Sequence, residues 1–113
     1  MLESKFQAGL VKELKERFPG CIVMKNDANY IQGIPDLTIL YNKRWAMLET
    51  KQSGKASHRP NQDYYIRQCD EMSFARFISP ENKEEVLDEL QQALQPHRKA
   101  RLSGSKQIPL DQR

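Results

Sequence analysis

Residues 33–52 read GIPDLTILYNKRWAMLETKQ. Two apolar runs, Leu37–Leu40 and Ala46–Leu48, flank Asn42-Lys43, a connection of the length that closes a β-hairpin. The pattern predicts strands over residues 34–41 and 44–52, with Pro35 near the start of the first, where its missing N–H is tolerated. Strands that are mostly apolar on both sides suit a sheet covered on both faces. Polar residues break the pattern at one end. Asp36 opens the first strand, and Glu49 and Lys51 close the second. Alternation puts Glu49 and Lys51 on the same side, and an antiparallel pairing brings Asp36 within reach of Glu49.

Working outward, Leu2, Phe6, Leu10, Leu14 and Phe18 recur every four positions and predict a helix over residues 2–18, stopped by Pro19-Gly20. Residues 21–25 read as a short strand. After a Gly/Ser/Lys loop over residues 53–59, Pro60 suits the first position of a helix running to about Glu71. Residues 74–78 read as a fourth strand. Ser79-Pro80-Glu81 reads as a helix start, with Val86, Leu87, Leu90 and Leu94 lining one face as far as Gln95. The order αβββαβα predicts an α/β fold, a mixed central sheet flanked by helices.

The chain has 113 residues, 38% of them apolar and 29% charged, which fits one domain with a modest core. No apolar run approaches the ~20 residues that a membrane helix needs. The first residues lack the basic-then-apolar pattern of a secretory signal, so a cytoplasmic protein is expected. Two cysteines, Cys21 and Cys69, are too few for a disulfide scaffold or a four-cysteine zinc site, and are expected as buried thiols. The net charge of +3 sits in the tail: residues 96–113 balance at +4, and residues 1–95 at −1. Residues 1–95 are therefore expected to be the domain and 96–113 a basic, disordered tail. Within the domain a basic stretch, 43–67, adjoins an acidic one, 70–89, which fits a polyanion-binding face with a solvated back.

Clustered carboxylates repel, and each is neutralised unless a cation compensates. Asp36 and Glu49 with room for water suit Mg²⁺, a hard cation that keeps part of its hydration. A neighbouring Lys51 can hold a water or neutralise a phosphate. The alternative is a structural Asp–Lys–Glu ion cluster at a strand end. Glu3 and Gln7 fall inside the apolar half of the first helix, so either the helix start protrudes or Glu3 meets a cation. Gln62 shares the inner face of the second helix with Tyr65 and Ile66, where its amide can bond a water, a metal-bound carboxylate or a phosphate, or else face solvent.

Gly33-Ile34-Pro35-Asp36, followed after twelve intervening residues by Glu49-Thr50-Lys51, resembles the PD-(D/E)XK nucleases. The first-helix Glu3 and the later helical Gln62 make the chain most similar to their VRR-NUC branch, in its small stand-alone form from phages and bacteria. The resemblance covers residues 3 to about 80. It implies a restriction-endonuclease-like αβββαβ core with an extra C-terminal helix, acting in a bacterial or phage-infected cell. It implies hydrolysis of DNA phosphodiesters with Mg²⁺ or Mn²⁺. Asp36 and Glu49 would ligate the metal, with the Thr50 backbone carbonyl as a possible third ligand. Lys51 would orient the water, and Glu3 and Gln62 would complete the site through metal, water or phosphate. Stand-alone relatives of this kind tend to be homodimers that resolve branched DNA such as Holliday junctions.

Lys55, His58 and Arg59, on the loop after the active-site strand, are expected to contact phosphates. Tyr30, Tyr64 and Trp45 are candidates for stacking on unpaired bases, or for ordinary packing. Three other readings remain open: a nicking or single-strand nuclease without junction preference, a non-catalytic nucleic-acid-binding module, and a protein-interaction domain using the acidic helix Glu81–Glu89.

Overall fold

The computed structural model describes residues 2–96; Met1 and residues 97–113, most of the basic tail, lie outside them. The elements run α1 (Glu3–Arg17), β1 (Ile22–Lys25), β2 (Leu37–Tyr41), β3 (Arg44–Thr50), α2 (Pro60–Met72), β4 (Ala75–Ile78) and α3 (Lys83–Leu94). The four strands form one mixed sheet in the order β1-β2-β3-β4. The pairs β1/β2 and β2/β3 are antiparallel, while β3/β4 is parallel. A parallel pair needs a long crossover, and α2 supplies it.

The β2–β3 turn is the two-residue type expected from the sequence. Asn42 and Lys43 both take left-handed backbone angles, φ 52° and 67°. This twist matches that of the flanking strands. The register sets Val23, Ile39 and Ala46 in one row and Leu37 opposite Leu48 in the next. Those residues join Phe6, Leu10 and Leu14 of α1 and Val86, Leu87, Leu90 and Leu94 of α3 in a single core. Burying a side chain of this size contributes about 1.5–3 kcal/mol, so this sheet face carries most of the fold's cohesion. α2 packs against β3 and β4 and buries Cys69, while Cys21 is only half-buried.

Three boundaries differ from the sequence expectation by two residues or more. β2 starts at Leu37, not Ile34. Gly33 turns at φ 91°, and the Ile34 N–H closes a turn on the Ile31 carbonyl. The Asn26 side chain takes the Pro35 carbonyl at 2.8 Å and its backbone N–H takes that of Asp36 at 2.8 Å, so these carbonyls are satisfied outside the regular ladder. β3 ends at Thr50, before Gln52; the Lys51 N–H still reaches the Ile78 carbonyl at 2.8 Å. α3 begins at Lys83, not beside Ser79. The Ser79 N–H donates to Asn82 Oδ1 at 2.8 Å, which closes a separate turn ahead of the helix. Among the described residues no helix is long and apolar enough to cross a membrane.

Candidate active site

The site forms at the end of the hairpin away from its turn. Leu37 faces Leu48 across the antiparallel pair, so one further step places Asp36 opposite Glu49. The Thr50 backbone N–H donates to Asp36 Oδ2 at 2.9 Å, and the Thr50 hydroxyl donates to the same oxygen at 2.6 Å. Glu49 and Lys51 project from the α2 side of β3, and Thr50 from the α1 side. Polar groups from both faces of the sheet therefore meet at one strand end.

Gln62, in the first turn of α2, links Glu49 of β3 to Lys51 just beyond the strand's end. Its Nε2 donates to Glu49 Oε2 at 2.9 Å. Its Oε1 accepts from Lys51 Nζ at 2.9 Å and from the Arg59 backbone N–H at 3.0 Å. This fixes the amide orientation, because a flipped amide would set –NH₂ against two donors. Lys51 Nζ also donates to the Ser57 carbonyl at 3.0 Å. An ammonium has three protons, and these two acceptors leave one for another group.

The electrostatics are unbalanced. Glu49 is 3% exposed. Burial, and next the Asp36 charge, push its carboxyl from the ordinary 4.5 up to about 7, with Lys51 only partly offsetting the rise. Glu3, in the first turn of α1, is also raised, by partial desolvation beside the sheet end and then by Asp36, against the opposing pull of Lys51. Glu3 thus feels the cluster, but among the described residues no three His, Cys, Asp or Glu side chains gather as a metal-holding group. The acidic centre is a pair. Thr50 joins it through its N–H and hydroxyl.

The residues fit a hard divalent cation. Each carboxylate has one oxygen tied to donors, Asp36 by Thr50 and Glu49 by Gln62. Among the hydrogen bonds of the described residues, Asp36 Oδ1 has no donor, while the Asp36 backbone N–H also supports the Glu49 carboxylate. A close pair of carboxylates, here one buried and one half-buried, is disfavoured unless a positive charge neutralises it, and Mg²⁺ takes one or two carboxylates while retaining water. The pair opens on a cleft of about 570 Å³ whose walls include Gly33, Arg59, Asn61 and Gln62. Only glycine fits at position 33: its φ is 91°, and a Cβ there would lie 2.7 Å from Asn61.

The expected phosphate contacts divide. Arg59 and Lys55 are exposed, and Arg59 lines the cleft. The His58 ring stacks on Phe77 with centroids 3.8 Å apart, and its Nδ1 lies 3.1 Å from Asp63 Oδ1. It braces the loop rather than standing free. Tyr30 is 85% exposed and Tyr64 47% exposed, while Trp45 is half-buried.

Sequence reasoning did not find the partner of Gln7. Gln7 Nε2 donates to Thr50 Oγ1 at 3.1 Å. Its place among the apolar residues of α1 was the available signal. The Ser57 carbonyl under Lys51 carried no sequence signal, since any residue type supplies one. No family model, no curated protein and no solved structure matches the chain.

Proposed function

We propose that this chain is a divalent-metal-dependent DNA endonuclease with a PD-(D/E)XK site, similar to the VRR-NUC branch and built on a restriction-endonuclease-like core. The observation that carries the reading is the Asp36–Glu49 pair, with Glu49 buried and Asp36 half-buried. Each carboxylate is oriented by a donor on one oxygen, and Lys51 is held alongside through Gln62. A purely structural ion cluster would pair the lysine with a carboxylate directly; here a neutral amide separates them.

Phosphodiester hydrolysis needs charge neutralisation at the phosphoryl oxygens and an oriented water. Asp36 and Glu49 would hold Mg²⁺ or Mn²⁺, which when bound supplies Lewis acidity toward the phosphate and offsets the carboxylate charge. The remaining Lys51 proton is available to a phosphate oxygen or to the attacking water. Gln62 keeps that ammonium in place and keeps Glu49 turned toward the cleft. Arg59 on the cleft wall and Lys55 on the adjoining loop give a polyanion its phosphate contacts. The preferred substrate is branched DNA, and two copies of the chain would cut its two strands symmetrically.

Purified protein is expected to cut a four-way junction or a flap in Mg²⁺ or Mn²⁺ and to stop when EDTA is added. Lys51→Ala should abolish the cut. A panel including single-stranded and fully paired DNA separates a branch-selective enzyme from a nicking or single-strand nuclease. Salt-sensitive binding without cleavage in either metal would refute the catalytic reading in favour of a binding module.

A further inference from the structure

Gln7 is half-buried on the face of α1 that packs on the sheet. A buried amide costs free energy unless it is hydrogen-bonded, and an apolar residue would serve the core better. Gln7 bonds Thr50 Oγ1 at 3.1 Å, and that same oxygen lies 2.6 Å from Asp36 Oδ2. Thr50 is fully buried. An ionised carboxylate cannot donate, so the single hydroxyl proton of Thr50 points at Asp36. The lone pairs of the hydroxyl then face Gln7, and only the –NH₂ end of the amide suits them.

We infer that Gln7 is a positioning residue for the cation site, acting through the Thr50 hydroxyl on Asp36. The amide fixes which way the hydroxyl proton points and strengthens its donation, since hydrogen bonds in series polarise one another. Asp36 then receives two hydrogen bonds on Oδ2, and its Oδ1 is presented to a cation. Glu3 and Gln7 are four residues apart, so one face of α1 serves the site twice, by charge and by hydrogen bond. The geometry stands on the hydrogen bonds alone; its consequence for the cation rests on the nuclease reading.

The test is a double-mutant cycle on the full chain, with Mn²⁺ affinity read by electron paramagnetic resonance. Gln7→Leu is expected to weaken Mn²⁺ binding about threefold to tenfold, and Thr50→Val about tenfold, the range for partners that orient a metal ligand. The double variant should bind like Thr50→Val alone, because Gln7 has nothing to act through once the hydroxyl is gone. Thr50→Ala provides a second hydroxyl-free background if valine does not pack. DNA affinity in EDTA should stay at the parent value in Gln7→Leu; a fall there would assign Gln7 to the fold or to DNA contact and overturn the inference. A parent that binds Mn²⁺ while Gln7→Leu binds it equally well also overturns the inference. So do losses that multiply in the double variant. Each of those results leaves the nuclease reading standing. A parent that binds no Mn²⁺ removes both.

Discussion

Two charged clusters in this protein use the same residue types to opposite ends. On the surface, the Arg76 guanidinium joins Asp70 to Glu89 and lies 4.3 Å over the Phe74 ring. It ties α2, β4 and α3 together, with its three charged side chains between 35% and 45% exposed. At the hairpin end, Asp36 and Glu49 form no ion pair within 4 Å among the described residues. Their nearest cation, Lys51, instead gives two protons to Gln62 and the Ser57 carbonyl. The surface cluster is closed on itself. The inner one faces a cleft without an ion pair of its own, an arrangement that a bound cation would complete on the proposed reading.

The largest effect expected from this contrast is on cleavage. Asp36→Asn keeps the shape of the side chain but removes the charge a cation needs. The cleavage rate in Mg²⁺ should fall by about 10³ or more, roughly 4 kcal/mol in the barrier. Asp70→Asn, the same chemical change in the surface cluster, should leave the rate within about twofold. Gel-based cleavage of a labelled junction measures both. Equal losses would erase the distinction between the clusters.

Stability against pH sharpens the contrast next. Glu49 has its folded-state carboxyl raised from 4.5 to about 7. Between those values the folded chain binds more protons than the unfolded chain, so stability falls as pH rises through this window. Without divalent metal, Glu49→Gln should remove that slope and be the more stable form above pH 7. The gain is about 2 kcal/mol after allowing for solvent screening. Below pH 4.5 the two should converge. Urea unfolding at pH 4 and pH 8 in EDTA measures the gap. Mg²⁺ should narrow it at pH 8 by stabilising only the parent's carboxylate pair. A gap of equal size at both pH values would assign the effect to packing instead of charge.

The hairpin and its polar end were legible because both depend on short-range rules. Alternation and a two-residue turn fix the register, and the register alone brings Asp36 opposite Glu49. The four-residue spacing in α1 and Pro60 at the first position of α2 are equally local signals. What was not legible depends on side chains that outcompete a local preference. Ser79-Pro80-Glu81 has the composition of a helix start. Asn82 captures the Ser79 N–H, however, and the Glu81 carboxylate reaches the distant Gly54 N–H at 2.8 Å. His58 sits on a basic loop yet finds the Phe77 ring, which β4 brings beneath it. Gln62 was singled out by its face of the helix. Its bridging of Lys51 and Glu49 needs the 53–59 loop to carry α2 back over the sheet, and no spacing rule encodes that.

A backbone change tests the wall beside the inner cluster. Gly33→Ala places a Cβ 2.7–2.8 Å from Asn61, at a φ that L-residues avoid. It should cost about 1–2 kcal/mol in urea unfolding and lower cleavage by displacing the loop from α2. A variant as stable and active as the parent would show that this wall is free to move.

The smallest effect belongs to the surface cluster itself. Arg76→Met removes two ion pairs but keeps apolar bulk over Phe74, and Asp70 retains the Ala75 N–H at 3.1 Å. Exposed pairs are worth about 0–1 kcal/mol and are screened by salt. The variant should therefore lose about 0.5–1 kcal/mol in dilute buffer, and less than half of that in 1 M NaCl. Its cleavage rate in Mg²⁺ should equal the parent's. A salt-independent loss above about 2 kcal/mol would mean that Arg76 acts by packing, like a core residue. Loss of cleavage without loss of stability would mean that the two clusters communicate through β4, whose Ile78 carbonyl holds the Lys51 N–H.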